Sequence, residues 1–172
     1  FKLNGGGWTR TAAFTDTASW HHLVCIYAAG SEANSKMYLD GVVQTALGTE
    51  GVFPSSADMD FAGLKTIIAA YSSSSYPFDG KMDEVAIWNT ALTSAQINTI
   101  FNGGAPADLD SLSPLGWWRM GEDDSGAGST ITDQGSGGND ATLINAPTYV
   151  RTTPNEDATY NYRSISFNGT DE

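Results

Sequence analysis

Apolar and polar positions alternate most regularly between Gly80 and Gly104. One face of the run carries Met82, Glu84, Ala86 and Trp88; the other carries Lys81, Asp83, Val85 and Ile87. Both faces turn apolar towards the C-terminal end, which predicts a strand inside a two-layer sandwich. Thr93 and Gln96 then have the spacing of a capping box, which predicts a helix start. Ile97, Ile100 and Phe101 follow on one helical face, and Gly103-Gly104 supplies the stop.

Other stretches give weaker patterns. Phe1 to Asn4 reads as a strand end and Gly5-Gly6-Gly7 as a loop. Trp20 to Tyr27 is β-branched and aromatic, apolar on both faces, and predicts a buried strand. Lys36 to Gln44 predicts a hairpin turning at Asp40-Gly41, residues that tolerate the positive φ angles of a type I′ turn. Gly48 to Gly63 reads as a polar loop, Thr66 to Tyr71 as a buried strand and Ser72 to Ser75 as a loop. Residues 105–114, with two prolines, read as a linker.

Composition narrows the class. The 172 residues suffice for a domain with a core, and 8 basic against 20 acidic residues give a formal net charge of -12. So few cations argue against nucleic acid and against an anionic membrane as partners. The single Cys25 allows no intrachain disulfide. No apolar run is long enough for a membrane span, and no leader pattern is visible. A chain opening on Phe1 reads as a fragment or a processed product.

Residues 78–104, FDGKMDEVAIWNTALTSAQINTIFNGG, resemble the closing segment of laminin G-like domains, the concanavalin A-like lectin jelly rolls. That pattern is roughly F-x-G-x-I-D-E-V-x-I-[WY]-N-x-A-L-[ST]-x-x-[EQ]-I, with Met82 here in place of Ile. The Trp20-His21-His22 strand and the Tyr38 to Val43 turn match the same family. Residues 115–150 and 164–172 resemble its opening strands. The resemblance implies an all-β concanavalin A-like jelly-roll β-sandwich with one short helix after the closing strand. It also implies inverted order: 1–104 is the back part of a laminin G-like sandwich and 115–172 the front part. Either the chain is a permuted single domain or it is cut from a tandem array. The junction around residues 102–121 is similar to those of structural proteins from phages and marine viruses.

The chemistry is sparse. Asp83 and Glu84 are adjacent, and on a strand they would face opposite sides, so the carboxylate pair of a glycoside hydrolase is not evident. No enzyme activity is expected. His21 and His22 face opposite sides for the same reason and read as structural imidazoles. The resemblance implies a structural Ca²⁺ held by Asp83 on the closing strand and by the turn containing Gly169 and Asp171. Glu122-Asp123-Asp124 and the group Asp133, Asn139, Asp140 offer further carboxylates for Ca²⁺, but they lack EF-hand spacing and read better as surface loops. Trp8, Tyr71 and Tyr76 are the aromatic candidates for stacking on a sugar. Trp20 and Trp88 hold core positions in the family, and one ring of Trp117-Trp118 is expected in the core.

Two functions follow from this reading. One is a surface-exposed adhesion module of lectin-like fold, recognising glycans on a virion or extracellular fibre. The other is a structural repeat or decoration unit whose partners are other copies of itself.

Overall fold

The computed structural model describes residues 2–3, 6–10, 15–28, 31, 34–44, 46–49, 67–70, 77–122, 126–152 and 163–169, with backbone course alone for 2–3, 6–10 and 46–49. In chain order the strands are β1 (Lys2–Leu3), β2 (Gly6–Arg10), β3 (Leu23–Ile26), β4 (Lys36–Leu39), β5 (Val42–Gln44), β6 (Ala46–Thr49), β7 (Asp79–Met82), β8 (Val85–Ile87), β9 (Gly116–Trp118), β10 (Thr130–Ile131), β11 (Ala141–Thr142), β12 (Thr148–Val150) and β13 (Ser164–Asn168). A single α-helix among the described residues, α1 (Ser94–Phe101), follows β8. The chain divides into two compact units. One comprises Phe1–Ala62 and Thr90–Ala107; the other comprises Gly63–Asn89 and Asp108–Glu172.

Among the described residues the first unit holds two antiparallel sheets, β1-β2-β6 and β3-β4-β5. The hairpin between β4 and β5 turns at Asp40 (φ 51°) and Gly41 (φ 76°), the two positive φ angles of the expected type I′ turn. Helix α1 starts at the expected capping box: the Thr93 hydroxyl accepts from the Gln96 N–H and the Gln96 side chain accepts from the Thr93 N–H. It stops at Asn102, which takes the left-handed conformation (φ 45°) one residue before the glycines. Ile97 and Ile100 are its buried face. Tyr38 on β4 shares a hydrogen bond with Ser94 at the helix start (3.0 Å).

Two expectations change here. The chain is already extended at Gly6, where a glycine loop was expected, because β2 pairs with both β1 and β6. The strand expected from Trp20 begins only at Leu23. The His22 N–H is given to the Asp40 carboxylate (2.8 Å), and the Asp40 N–H returns to the His22 carbonyl (2.8 Å). Those bonds belong to the turn rather than to a regular ladder. Leu23 itself is 58% exposed, so this strand is not apolar-buried on both faces.

The second unit pairs segments far apart in sequence. β13 lies between β12 and β7, with Ile165 opposite Met82 and Asn168 opposite Asp79. β8 pairs with β9, Val85 opposite Trp118. Strands from before and after residues 105–114 thus form common ladders. The closing strand is broken in two at Asp83-Glu84, where Glu84 has φ 48°. The core is Trp118, Met120, Ile131 and Ile165, with Val85, Tyr149 and Phe167 packed against it. Both Trp117 and Trp118 are buried, because the Trp117 ring has its own polar partner, described below.

Asp133 fixes the base of this core. Its carboxylate accepts the backbone N–H groups of Trp117 (2.8 Å), Gly135 (2.8 Å) and Asn139 (2.8 Å). Expected in a surface loop, Asp133 is instead a buried turn anchor. Residues 105–114, expected as a linker, bury Leu109 and Pro114 and make a 3₁₀ turn over Asp110–Leu112. Trp88 is half-buried and donates from Nε1 to the Leu112 carbonyl (3.1 Å), so its role is tethering as much as packing. Within the strand expected from Thr66 to Tyr71, residues 68–70 are bent, not extended, with Ala69 at φ 70° and Ile67 44% exposed; Thr66 and Tyr71 lie outside the described residues.

Candidate functional site

The break in the closing strand creates the site. An uninterrupted strand would send Asp83 and Glu84 to opposite faces. The left-handed turn at Glu84 cancels that alternation, and both carboxyl groups reach one place. Glu122 joins them from the other side. Met120 (φ 54°) and Gly121 (φ 128°) turn the chain sharply after β9. A Cβ on Gly121 would lie 3.0 Å from Arg163 Cβ and 3.0 Å from Tyr149 Cδ1, so only glycine fits this bend. One oxygen from each of Asp83, Glu84 and Glu122 lies within 4.8 Å of the others.

The three carboxyls sit in different environments. Glu84 is the paired one. Trp117 Nε1 donates to its Oε2 (2.6 Å) and Arg119 Nε donates to its Oε1 (3.1 Å). The Arg119 guanidinium also lies over the Trp117 ring, 5.1 Å from its centroid. Glu122 Oε1 accepts the Arg163 N–H (2.6 Å), while its Oε2 is buried without a hydrogen-bond partner. Asp83 Oδ1 accepts the Glu84 N–H (2.9 Å), and Asp83 Oδ2 is likewise buried and without a partner.

Burial and crowding of like charge set the protonation. Burial, with the Glu122 and Glu84 charges next, pushes the Asp83 carboxyl up to about 9; Arg119 and the Glu84 N–H only partly oppose this. Burial also raises Glu122, to about 7, against the pull of the Arg163 N–H. In the absence of a cation, Asp83 is therefore protonated at neutral pH and Glu122 is near its midpoint.

Gly169, expected beside Asp83, lies elsewhere. A Cβ on it would meet Asp79 Cβ at 2.7 Å, and Asp79 stands at the far end of β7 from Asp83. Four residues of extended chain separate the two positions by ~13 Å. The structure therefore does not bring Asp83 and Gly169 together. Asp171, Tyr71, Tyr76 and the Trp8 side chain lie outside the described residues. The sequence does not single out Glu84 as a ligand, and it offers Glu122 only within an acidic run that reads better as a surface loop. The motif hid Glu84 behind strand alternation, and Glu122 read as one of three acids in a loop.

The donor set suits a hard divalent cation. Ca²⁺ and Mg²⁺ take carboxylate oxygens, and two oxygens here have no other partner. As a hydrolytic pair the arrangement is poor, because the same two oxygens are buried and Glu84 is committed to Trp117 and Arg119.

Residues 1–98 of the 172 match the family model described as the concanavalin A-like lectin/glucanases superfamily, in its laminin G form. The chain belongs to that superfamily, and its fold class is the all-β sandwich with one short helix after the closing strand. No curated protein and no solved structure matches the chain. The matched span includes Asp83 and Glu84 and ends before Glu122. Among the described residues no helix is long and apolar enough to cross a membrane.

Proposed function

We propose that the chain is a non-catalytic recognition module of lectin-like fold, displayed on a virion or extracellular fibre, that binds glycans and carries a structural calcium ion. The observation behind the ion is the pair of buried, unpartnered oxygens on Asp83 and Glu122 beside Glu84. Asp83, Glu84 and Glu122 would hold the cation, which would supply the positive charge that three converging carboxylates lack. Superfamily membership supports the glycan half. Trp8, Tyr71 and Tyr76 are the ring candidates for stacking on a sugar. The virion or fibre setting rests on the resemblance of the junction around residues 102–121 to viral structural proteins.

One observation favours a second reading, an assembly unit contacting copies of itself. β7 and β8, from the back part, take their strand partners from the front part, across residues 105–114. The same pairing made between neighbouring copies or repeats would link them by strand exchange.

A glycan array probed with this chain in Ca²⁺ and again in EDTA separates the readings. Binding of one sugar class that is lost in EDTA supports the full proposal. Binding in both conditions keeps the lectin and reduces the ion to an accessory. No binding from folded protein, together with oligomers by light scattering, favours the assembly unit.

A further inference from the structure

In the first unit, helix α1 meets the β3-β4-β5 sheet around one imidazole. The His22 ring stacks on Phe101 in the last turn of α1, with centroids 5.9 Å apart and planes at 29°. The turn at Asp40-Gly41 closes the same corner. A Cβ on Gly41 would lie 3.1 Å from Phe101 and 3.2 Å from the Asn98 side chain. His22 Nδ1 is buried there without a hydrogen-bond partner.

We propose that His22 is an acid-sensitive latch: neutral, it lets the C-terminal half of α1 dock on the hairpin, and its protonation in mild acid releases that half.

A neutral imidazole can leave Nδ1 as a bare lone pair, which a buried apolar corner tolerates. An imidazolium must carry N–H on both nitrogens, so Nδ1 would become a buried donor with no acceptor in place for it among the described residues. Helix α1, Ser94–Phe101, has no ionisable side chain with which to answer that charge. Lys36 is at the far end of β4, and β5 is Val-Val-Gln.

Among the described residues Asp40 is the acid at this corner, and both its oxygens are occupied. Oδ1 takes the His22 N–H (2.8 Å), and Oδ2 takes His21 Nδ1 (2.8 Å). Asp16 faces the other nitrogen of His21, at 3.4 Å, and so answers charge on His21 rather than on His22. Burial lowers the His22 pKa, and the Asp40 charge only partly offsets it. The sign follows: docking is fully supported above about pH 6.5, the ordinary histidine value, and weakens as pH falls below it.

The test is amide hydrogen exchange on the whole chain at pH 7.5 and 5.0, corrected for intrinsic rates, for wild type, His22→Phe and His21→Gln. Phenylalanine keeps a stacking ring and removes the titration. Protection of Ile97 to Phe101 should fall about five- to thirty-fold in wild type and His21→Gln, and stay level in His22→Phe. Unchanged protection in wild type, or an equal fall in His22→Phe, overturns the latch. If His22→Phe does not fold, the NMR titration of wild type decides. The His22 ring and the α1 amides should then titrate together, with a midpoint below 6.5. A ring midpoint at or above that value overturns the proposal.

Discussion

Glu84 and Trp117 are joined by a 2.6 Å hydrogen bond from the indole Nε1 to Oε2. The two residues stand 33 positions apart, one at the break of the closing strand and one in β9. Arg119 completes the arrangement from two residues beyond Trp117, so a single carboxylate satisfies a buried indole and a guanidinium at once. Glu84→Ala should destabilise the protein by about 2–4 kcal/mol, since it strands the buried Trp117 indole donor and removes the carboxylate that Arg119 Nε meets. Glu84→Gln keeps an acceptor for Trp117 and should cost less than half of that. Urea melts of the two variants at pH 7 make the comparison; equal losses would mean that charge, not the hydrogen bond, holds the junction.

Asp83 gives a pH prediction with an unusual sign. Its folded pKa is raised, so the unfolded chain releases this proton first as pH climbs. The group therefore supports folding fully below about pH 4 and withdraws that support progressively up to about 9, the folded value. In EDTA, Asp83→Asn should be more stable than wild type at pH 7, by about 1–3 kcal/mol, and the gap should widen to pH 8.5. Denaturation at pH 5, 7 and 8.5 measures it. A gap that shrinks with pH would mean that Asp83 is ionised and partnered.

Calcium should reverse that order. At a hundred times its dissociation constant, an ion bound only to the folded state adds about 2.7 kcal/mol. Wild type should gain a higher melting temperature on titration with CaCl₂, while Asp83→Asn and Glu122→Gln should gain little. Isothermal titration on the same three proteins gives the stoichiometry. An equal rise in all three would place any bound cation elsewhere.

Asp133 gathers three backbone donors, and without it all three lose their acceptor. Asp133→Ala should cost about 3–5 kcal/mol and expose the Trp117-Trp118 strand. Tryptophan fluorescence during urea unfolding, shifted red in the variant before the main transition, is the expected signal. A loss under 1 kcal/mol would mean that water replaces the carboxylate.

The fold was legible wherever local chemistry decides it. The capping box at Thr93 and Gln96 and the turn at Asp40-Gly41 are short-range devices whose residues carry their own geometry. The site was legible only in part. Asp83 stood out through its motif, but strand alternation excluded Glu84 as its companion. That rule fails because Glu84 takes a left-handed turn, which its side chain does nothing to announce. Glu122 comes from 38 residues beyond Glu84, and no local pattern reports such a convergence. Residues 105–114 looked like a linker because prolines and aspartates favour turns. Burial of Leu109 and Pro114 is a tertiary effect that composition does not encode.

Ile165 pairs with Met82 across 83 positions, and β7 has no other strand neighbour among the described residues. At a synthesis rate of about 5–20 residues per second, β7 emerges roughly 4 to 17 s before its partner exists. For that interval it is a bare template of backbone donors and acceptors, open to any extended segment nearby. On one message carrying many ribosomes, the β13 of the chain ahead is such a segment. Crowded translation thus creates a kinetic contest between folding alone and folding with a sibling.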